Sequence, residues 1–194
     1  EELEKTFIEV IVAPSFDDDA LSLLKKKSFL RLITYPIIQP TESELVFRHM
    51  NNGFLVQTKD NGFVTQDALN IVTNKKPSRK DLNNLLFSGA VVKHVKSNAI
   101  CIANDFVSIG VGAGQMSRVD AVRIALEKAG EKAKGAALSS DAFFPFKDSI
   151  ELAHSYGITS IFQPGGSKRD QESIDYCNEV GISMVFSGQR HFLH

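Results

Sequence analysis

Short apolar, β-rich runs alternate with segments of helical periodicity along most of this 194-residue chain. That alternation restricts the fold most, because strands joined through helices stack into a layered sheet. Phe7–Ala13 reads as a strand, Asp17–Lys27 as a helix with Ala20, Leu21, Leu23 and Leu24 apolar, and Phe29–Thr34 as a second strand. Gly53–Thr58 is a third, ending in the turn residues Asp60-Asn61-Gly62. The next helix opens at Pro77 with a Ser78-x-x-Asp81 capping box and carries Leu82, Leu85, Leu86 and Ala90 as its buried stripe. Ala99–Ala103 and Phe106–Val111 flank Asn104-Asp105 as a hairpin. A long helix Ser117–Lys134 leads to a strand Gly135–Ser139, a helix Asp148–Tyr156 capped by Gly157, and a strand Ile158–Phe162. A helix from Ser167 to Gly181 and a strand Ile182–Phe186 close the series. The order predicts a layered α-β-α domain with a mostly parallel sheet and helices on both faces. Ligands of such sheets sit beyond the carboxyl ends of strands, which selects the turns after Val111, Ser139, Phe162 and Phe186.

Composition narrows the function classes. The length allows one large domain or two small ones, and 43% hydrophobic with 23% charged residues is ordinary for a soluble globular chain. A net charge of -1 leaves no footprint for nucleic acid or an anionic membrane. No apolar run is long enough to cross a bilayer, and the acidic opening EELEKTFIEV is unlike a signal peptide, so the cytoplasm is the expected location. Cys101 and Cys177 read as buried thiols rather than a disulfide framework. The histidines at 49, 94, 154, 191 and 194 stand at no zinc-ligand spacing from them, so no metal site is expected on these grounds. Neither a Walker loop nor a Gly-x-Ser-x-Gly elbow is present.

Five stretches carry residues suited to binding chemistry. Ser108–Ala129 reads as a strand entering a glycine turn and a helix. Its Gly110, Gly112 and Gly114 either admit a ligand close to the backbone or pack strand against helix. The helix start, with a Ser117-x-x-Asp120 box and Arg118, suits an anion. Leu138–Asp148 crowds Phe143, Phe144 and Phe146 with Pro145 into a strand-to-helix connection. All three rings cannot easily face inward, so at least one is expected to line a cleft fit for a planar heterocycle. Asp148 is either a helix cap or an acceptor for a ring N–H. Gln163–Asp170 is a second glycine-rich helix entry beside Lys168 and Arg169, able to dock a phosphate or carboxylate or simply to turn. At the C-terminus Arg190 offers a phosphate-matched fork, and His191 and His194 accompany it. Asn98, in the helix-to-strand joint His94–Ile100, is a turn former or a donor and acceptor for a carboxamide.

Taken together, VKSNAI, IGVGAGQMSRVDAVRIA, SSDAFFPFKD, QPGGS and the terminal RHFLH resemble, in order and spacing, the AICAR transformylase/IMP cyclohydrolase family of bifunctional purine-biosynthesis enzymes. FIEVIVAPSFDDDALSLLKKK is similar to the matching upstream segment, so the resemblance covers nearly the whole chain. It implies a cytidine-deaminase-like α/β fold without the deaminase zinc, active sites across a homodimer interface, and formyl transfer from 10-formyltetrahydrofolate to the 5-amino group of AICAR. By that resemblance Asn98 and Phe143 hold the AICAR base, Arg190 its phosphate, and His194 lies close to the base, with Asn98 and His194 as the catalytic candidates. Arg118, Pro145, Phe146 and Asp148 line the folate side, Asp148 accepting from the pteridine. The resemblance also implies a structural potassium near Ser97 and Asp141, against which this chain sets Val95 and Lys96.

One departure bears on activity. The family's catalytic Lys-His pair and its cyclohydrolase domain lie upstream of every motif here, and Lys93-His94 belongs to a different part of the pattern. The chain is therefore expected to be the C-terminal part of the transformylase region, to need the upstream half, and to have little activity alone. The alternative is a non-catalytic nucleotide-binding or regulatory module. A zinc deaminase is disfavoured by the missing cysteine pair.

Overall fold

A computed structural model describes residues 2–38 and 44–193. The chain divides into two compact units, Glu1–Asn61 and Gly62–His194.

The first unit contains a short helix α1 (Glu2–Lys5), strand β1 (Val10–Ala13), helix α2 (Asp18–Leu24) and strand β2 (Arg31–Thr34). The two strands pair in parallel, Val10 opposite Arg31 and Ala13 opposite Thr34. Asp17 caps α2 by accepting the Ala20 N–H at 2.7 Å, satisfying one of the free donors of the first turn. Strands β3 (Leu45–Met50) and β4 (Gly53–Thr58) form an antiparallel hairpin through Asn51 and Asn52. The pattern had predicted β4 but not β3, whose central Arg48 and His49 blur the apolar alternation. Asp60-Asn61-Gly62, read as a turn between strands, instead spans the boundary between the units. None of the described residues of this unit is buried, and Phe7 and Phe29 are 88% and 86% exposed.

The second unit is built on a six-stranded sheet in the order β5-β10-β9-β8-β6-β7. Its elements are β5 (Asn70–Ile71), α3 (Arg79–Val92), β6 (Ile100–Asn104), β7 (Val107–Gly112), α4 (Arg118–Ala129) and β8 (Ala137–Ser140). They continue with α5 (Asp148–Ser155), β9 (Ser160–Gln163), α6 (Asp170–Val180) and β10 (Ser183–Phe186). Strands β7 to β10 point the same way. However, β6 lies antiparallel between β7 and β8, and β5 is antiparallel on β10. Only β8–β9 and β9–β10 are parallel neighbours, so the mostly parallel sheet expected from the alternation is in fact mixed. The cause is local. Asp105 and Phe106 both take positive φ, 50° and 58°, the two-residue hairpin geometry that matches strand twist and folds β7 back on β6.

Period-two alternation distributes the core to both faces. Leu138, Ile161 and Met184 point into the cluster formed with Val122, Leu126, Ile150 and Cys177 of α4, α5 and α6. Their neighbours Ala137, Phe162 and Val185 pack with Leu85 of α3 on the opposite face. Each such Leu or Ile buried contributes about 1.5–3 kcal/mol. At the start of α3 the Ser78–Asp81 box is complete: Ser78 Oγ accepts the Asp81 N–H at 3.1 Å and Asp81 Oδ2 accepts the Ser78 N–H at 2.9 Å. Helix α4 stops at Ala129 and continues as a 3-10 turn through Ala133, short of the expected Lys134.

Candidate ligand cleft at the carboxyl edge of the sheet

The glycine turn after β7 serves packing rather than ligand approach. A Cβ on Gly110 would overlap the carbonyl oxygen of Ala125, and one on Gly112 that of Ala121, so both glycines let β7 press against α4. Gly114 supplies the turn itself, at φ +66°, and its N–H donates to the Lys96 carbonyl at 2.7 Å. The expected Ser117–Asp120 box does not form. Ser117 holds the cap conformation without a side-chain bond, and Asp120 pairs with Arg123 instead.

What the turn does contribute is Arg118, at the first position of α4. It lines a cleft of about 470 Å³ together with Asn98, Phe143, Pro145, Phe146, Asp148 and Arg190. The seven described residues that the resemblance assigns to AICAR or folate thus line one cavity, while Lys168 and Arg169 line another; His194 lies outside the described residues. The walls come from the segments after β7, β8 and β10 and from the segment entering β6, all at one edge of the sheet. Met116, Ser117, Val119, Ala142, Ser149 and Phe192 complete the lining, and of these Met116, Val119, Ala142 and Ser149 carry no signal in the sequence reading. Met116 had no signal in the sequence, since only its 99% exposure at the rim distinguishes it.

The phenylalanines divide their work as the crowding demanded. Phe144 is buried in the core, with its N–H donated to Gln163 Oε1 at 3.0 Å, whereas Phe143 and Phe146 line the cleft. Phe143, Pro145 and Phe146 also wall a shallower groove with Lys168 and Arg169, and the Arg169 guanidinium stacks on Phe146 at 4.9 Å. The N–H groups of Gly166 and Ser167 are already taken by Asp170 Oδ2 at 2.6 and 3.1 Å, so α6 begins at Asp170 and leaves no backbone cradle there. Asp148 is the first residue of α5. Its Oδ1 accepts the Ser149 N–H at 2.6 Å, and its Oδ2 has no donor among the described residues.

Polar groups at the back of the cleft are tightly linked. Arg118 Nη1 donates to Asp141 Oδ1 at 2.5 Å and to Ser140 Oγ at 2.8 Å, and its Nη2 donates to Asn98 Oδ1 at 2.7 Å. Arg118 is therefore mostly spent inside the protein, on Asp141, Ser140 and Asn98. The Ser97–Asn98 peptide is cis. Arg190 is exposed at the cleft mouth, its guanidinium over the Phe192 ring at 5.6 Å. His191 is buried, and its N–H donates to the Asp141 carbonyl at 2.9 Å, docking the tail. Lys93 points elsewhere, its Nζ donating to the Gly62 carbonyl and lying over Phe63.

Among the described residues no group of three His, Cys, Asp or Glu side chains could hold a metal ion. One orphan acceptor does suit a monovalent cation of the kind expected beside Ser97 and Asp141. Asp141 Oδ2 is buried with no hydrogen-bond partner, and the Ser97 hydroxyl, accepting only the Leu193 N–H at 3.1 Å, keeps a lone pair. Cys101 and Cys177 are buried, and burial pushes both thiols from 9.0 up to about 12, which removes them as nucleophiles. No helix among the described residues is long and apolar enough to cross a membrane.

Fold and cleft together define an α/β protein with a cleft at the carboxyl edge of its sheet, lined by the rings of Phe143 and Phe146 and by the exposed Arg190. The chain belongs to the AICARFT/IMPCHase bienzyme family, whose model matches residues 1–128. Over its full length it is 47% identical to the bifunctional purine biosynthesis protein PurH of Oceanobacillus iheyensis and 50% identical to that of Lysinibacillus sphaericus. The PurH protein of Nostoc punctiforme is also 50% identical. These alignments take in 38%, 38% and 37% of the relatives, so the chain spans under two fifths of the length of the curated proteins it matches. Among solved structures, Acinetobacter baumannii RibD, form 1, superposes with a TM-score of 0.42 at 14% identity over 56% of this chain and 35% of that one. Form 2 gives 0.38 at 15% identity over 53% and 32%.

Proposed function

We propose that this chain is the C-terminal part of an AICAR transformylase region and supplies nucleotide and folate contacts for formyl transfer from 10-formyltetrahydrofolate to the 5-amino group of AICAR. The observation that carries this reading is the convergence of Asn98, Arg118, Phe143, Pro145, Phe146, Asp148 and Arg190 on one cleft, in a chain of this family. In this reading the fold is cytidine-deaminase-like, and two copies of the protein complete each other's sites. Asn98 and the Phe143 ring take the imidazole carboxamide, Arg190 takes the phosphate at the open mouth, and Pro145, Phe146 and Asp148 take the pterin. His194 approaches the base from the tail. Arg118 stands on the folate side and joins it to the nucleotide side, since its Nη2 donates to Asn98.

The reaction needs a base for a weakly nucleophilic amine and a cation at the formyl oxygen. Such proton-transfer and electrostatic contributions are each worth roughly a hundredfold or more. We assign both to the Lys-His pair of the upstream half, since Lys93 faces away from the cleft. A potassium ion, when bound, would give Asp141 Oδ2 its missing positive partner, with Ser97 beside it.

Calorimetry with AICAR and with a folate analogue, separately and together, tests this reading. Binding of both is expected, with turnover only when the upstream half is added. Nucleotide binding without a folate response would favour the non-catalytic module, and turnover by this chain alone would refute the division of the catalytic groups.

A further inference from the structure

We infer that Asp141 is a positioning residue that acts through Arg118 to fix which end of the Asn98 amide faces the cleft. The inference deepens the nucleotide assignment of Asn98 and rests on it for the identity of the ligand. Arg118 is a buried cation, 8% exposed, at the N-terminus of α4, where the helix dipole already concentrates positive charge. A guanidinium there is held only if a buried carboxylate compensates it. Asp141, fully buried at the end of β8, is that carboxylate, at 2.5 Å.

The consequence for Asn98 follows from donor arithmetic. Arginine has donors only, so the atom it meets at 2.7 Å is the amide oxygen, and the Nδ2 group lies on the other side. One Nδ2 hydrogen goes to the Gln115 carbonyl at 2.8 Å. The second Nδ2 hydrogen has no acceptor among the described residues, whereas the oxygen is turned to the buried Arg118, so Asn98 offers the cleft a donor and selects a ligand acceptor such as a carboxamide oxygen. Asp141 reinforces the placement by accepting the Ala99 N–H at Oδ1, 3.2 Å, beside Asn98, and by donating its own N–H to the Ala99 carbonyl at 3.2 Å.

Two measurements on the full chain decide this. In the first, the side-chain NH2 pair of Asn98, assigned through Asn98→Ala, is followed by NMR in the unliganded protein. A clamped amide gives two resolved, slowly exchanging protons, which collapse or accelerate in Asp141→Asn. If that variant does not fold, Arg118→Lys removes the fork to Asn98 while keeping a charge beside Asp141 and asks the same question. An Asn98 signal unchanged in the variant overturns the inference. In the second, AICAR affinity is measured in a double-mutant cycle. Asp141→Asn should weaken it about tenfold with Asn98 present and less than about twofold in Asn98→Ala, because coupled residues are non-additive. Equal losses in both backgrounds would mean a merely structural role and overturn the inference. Absence of AICAR binding by the unmutated chain would defeat the proposed function while leaving the NMR result to decide the clamp.

Discussion

Gly112 and Ala121 stand so close that a Cβ on the glycine would overlap the alanine carbonyl oxygen, which makes this pair the point where β7 is pressed onto α4. The same holds one alternation earlier for Gly110 and Ala125. Both carbonyls belong to helix backbone, which cannot swing aside as a side chain would. Gly112→Ala should therefore destabilise the second unit by about 1–3 kcal/mol, the usual cost of overpacking. A urea titration followed by circular dichroism reads this directly, and a midpoint equal to that of the unmutated protein would contradict the packing role.

Arg190 reaches the cleft from the far end of the chain and is exposed, so its contribution depends on what it meets there. A hydrogen bond to a charged group is worth about 1.5–3 kcal/mol, or roughly ten- to a hundredfold in affinity. Arg190→Ala should cost AICAR that factor and leave the dephosphorylated nucleoside nearly unaffected. Equal losses for both ligands, measured by calorimetry, would remove the phosphate role.

Asp148 keeps one carboxylate oxygen engaged with Ser149 and the other free of donors among the described residues. If that free oxygen accepts from a pteridine N–H, Asp148→Asn should weaken a folate analogue by about tenfold while AICAR changes less than about twofold. The comparison of the two ligands in one variant separates a contact from a general disturbance of α5, which would weaken both.

How much of this was legible beforehand depended on how local the cause was. The Ser78–Asp81 box, the β6–β7 hairpin and the helix end at Gly181 arise from neighbouring residues and were readable as such, although the hairpin turns at Asp105-Phe106 rather than at Asn104-Asp105. The sheet order was not, because a hairpin inserted between strands that otherwise run together is decided by long-range pairing. In the cleft, residue types told which segments carry chemistry, and the crowding of Phe143, Phe144 and Phe146 correctly required an outward ring. They did not tell that Arg118 would spend its guanidinium on Asp141, Ser140 and Asn98, since those partners lie 20 or more residues away in sequence. The glycines left two readings open because a close approach was written in their spacing but not its partner, and at Gly110 and Gly112 a helix is what approaches.

Cys101 and Cys177 link burial to pH. Each thiol titrates at about 12 in the fold against 9.0 when unburied, because burial opposes the thiolate. Above about pH 9 the unfolded chain releases these protons while the folded one keeps them. Their contribution to stability is therefore complete below pH 9 and is lost as the pH climbs from there towards 12. The denaturation midpoint should fall across that window, and replacing both cysteines with alanine should flatten the fall. At neutral pH a thiol reagent should label neither cysteine in the native protein and both after unfolding.

The two units should differ sharply in backbone protection. Among the described side chains of residues 2–38 and 44–61 none is buried, so the hydrogen bonds of β1 with β2 and of β3 with β4 have no apolar cover against water. Strands β8, β9 and β10 are flanked by Leu138, Ile161 and Met184 on one face and Ala137, Phe162 and Val185 on the other. Local opening is cheap where few apolar contacts must be broken and approaches the cost of global unfolding in a core sheet. Hydrogen exchange on the whole chain should show the amides of β1 to β4 exchanging at least about a hundredfold faster than those of β8 to β10. Comparable protection in both sets would mean that the apolar side chains of the first unit, Phe7 and Phe29 among them, are covered in solution, with a second copy of the chain as the first candidate to test by sedimentation.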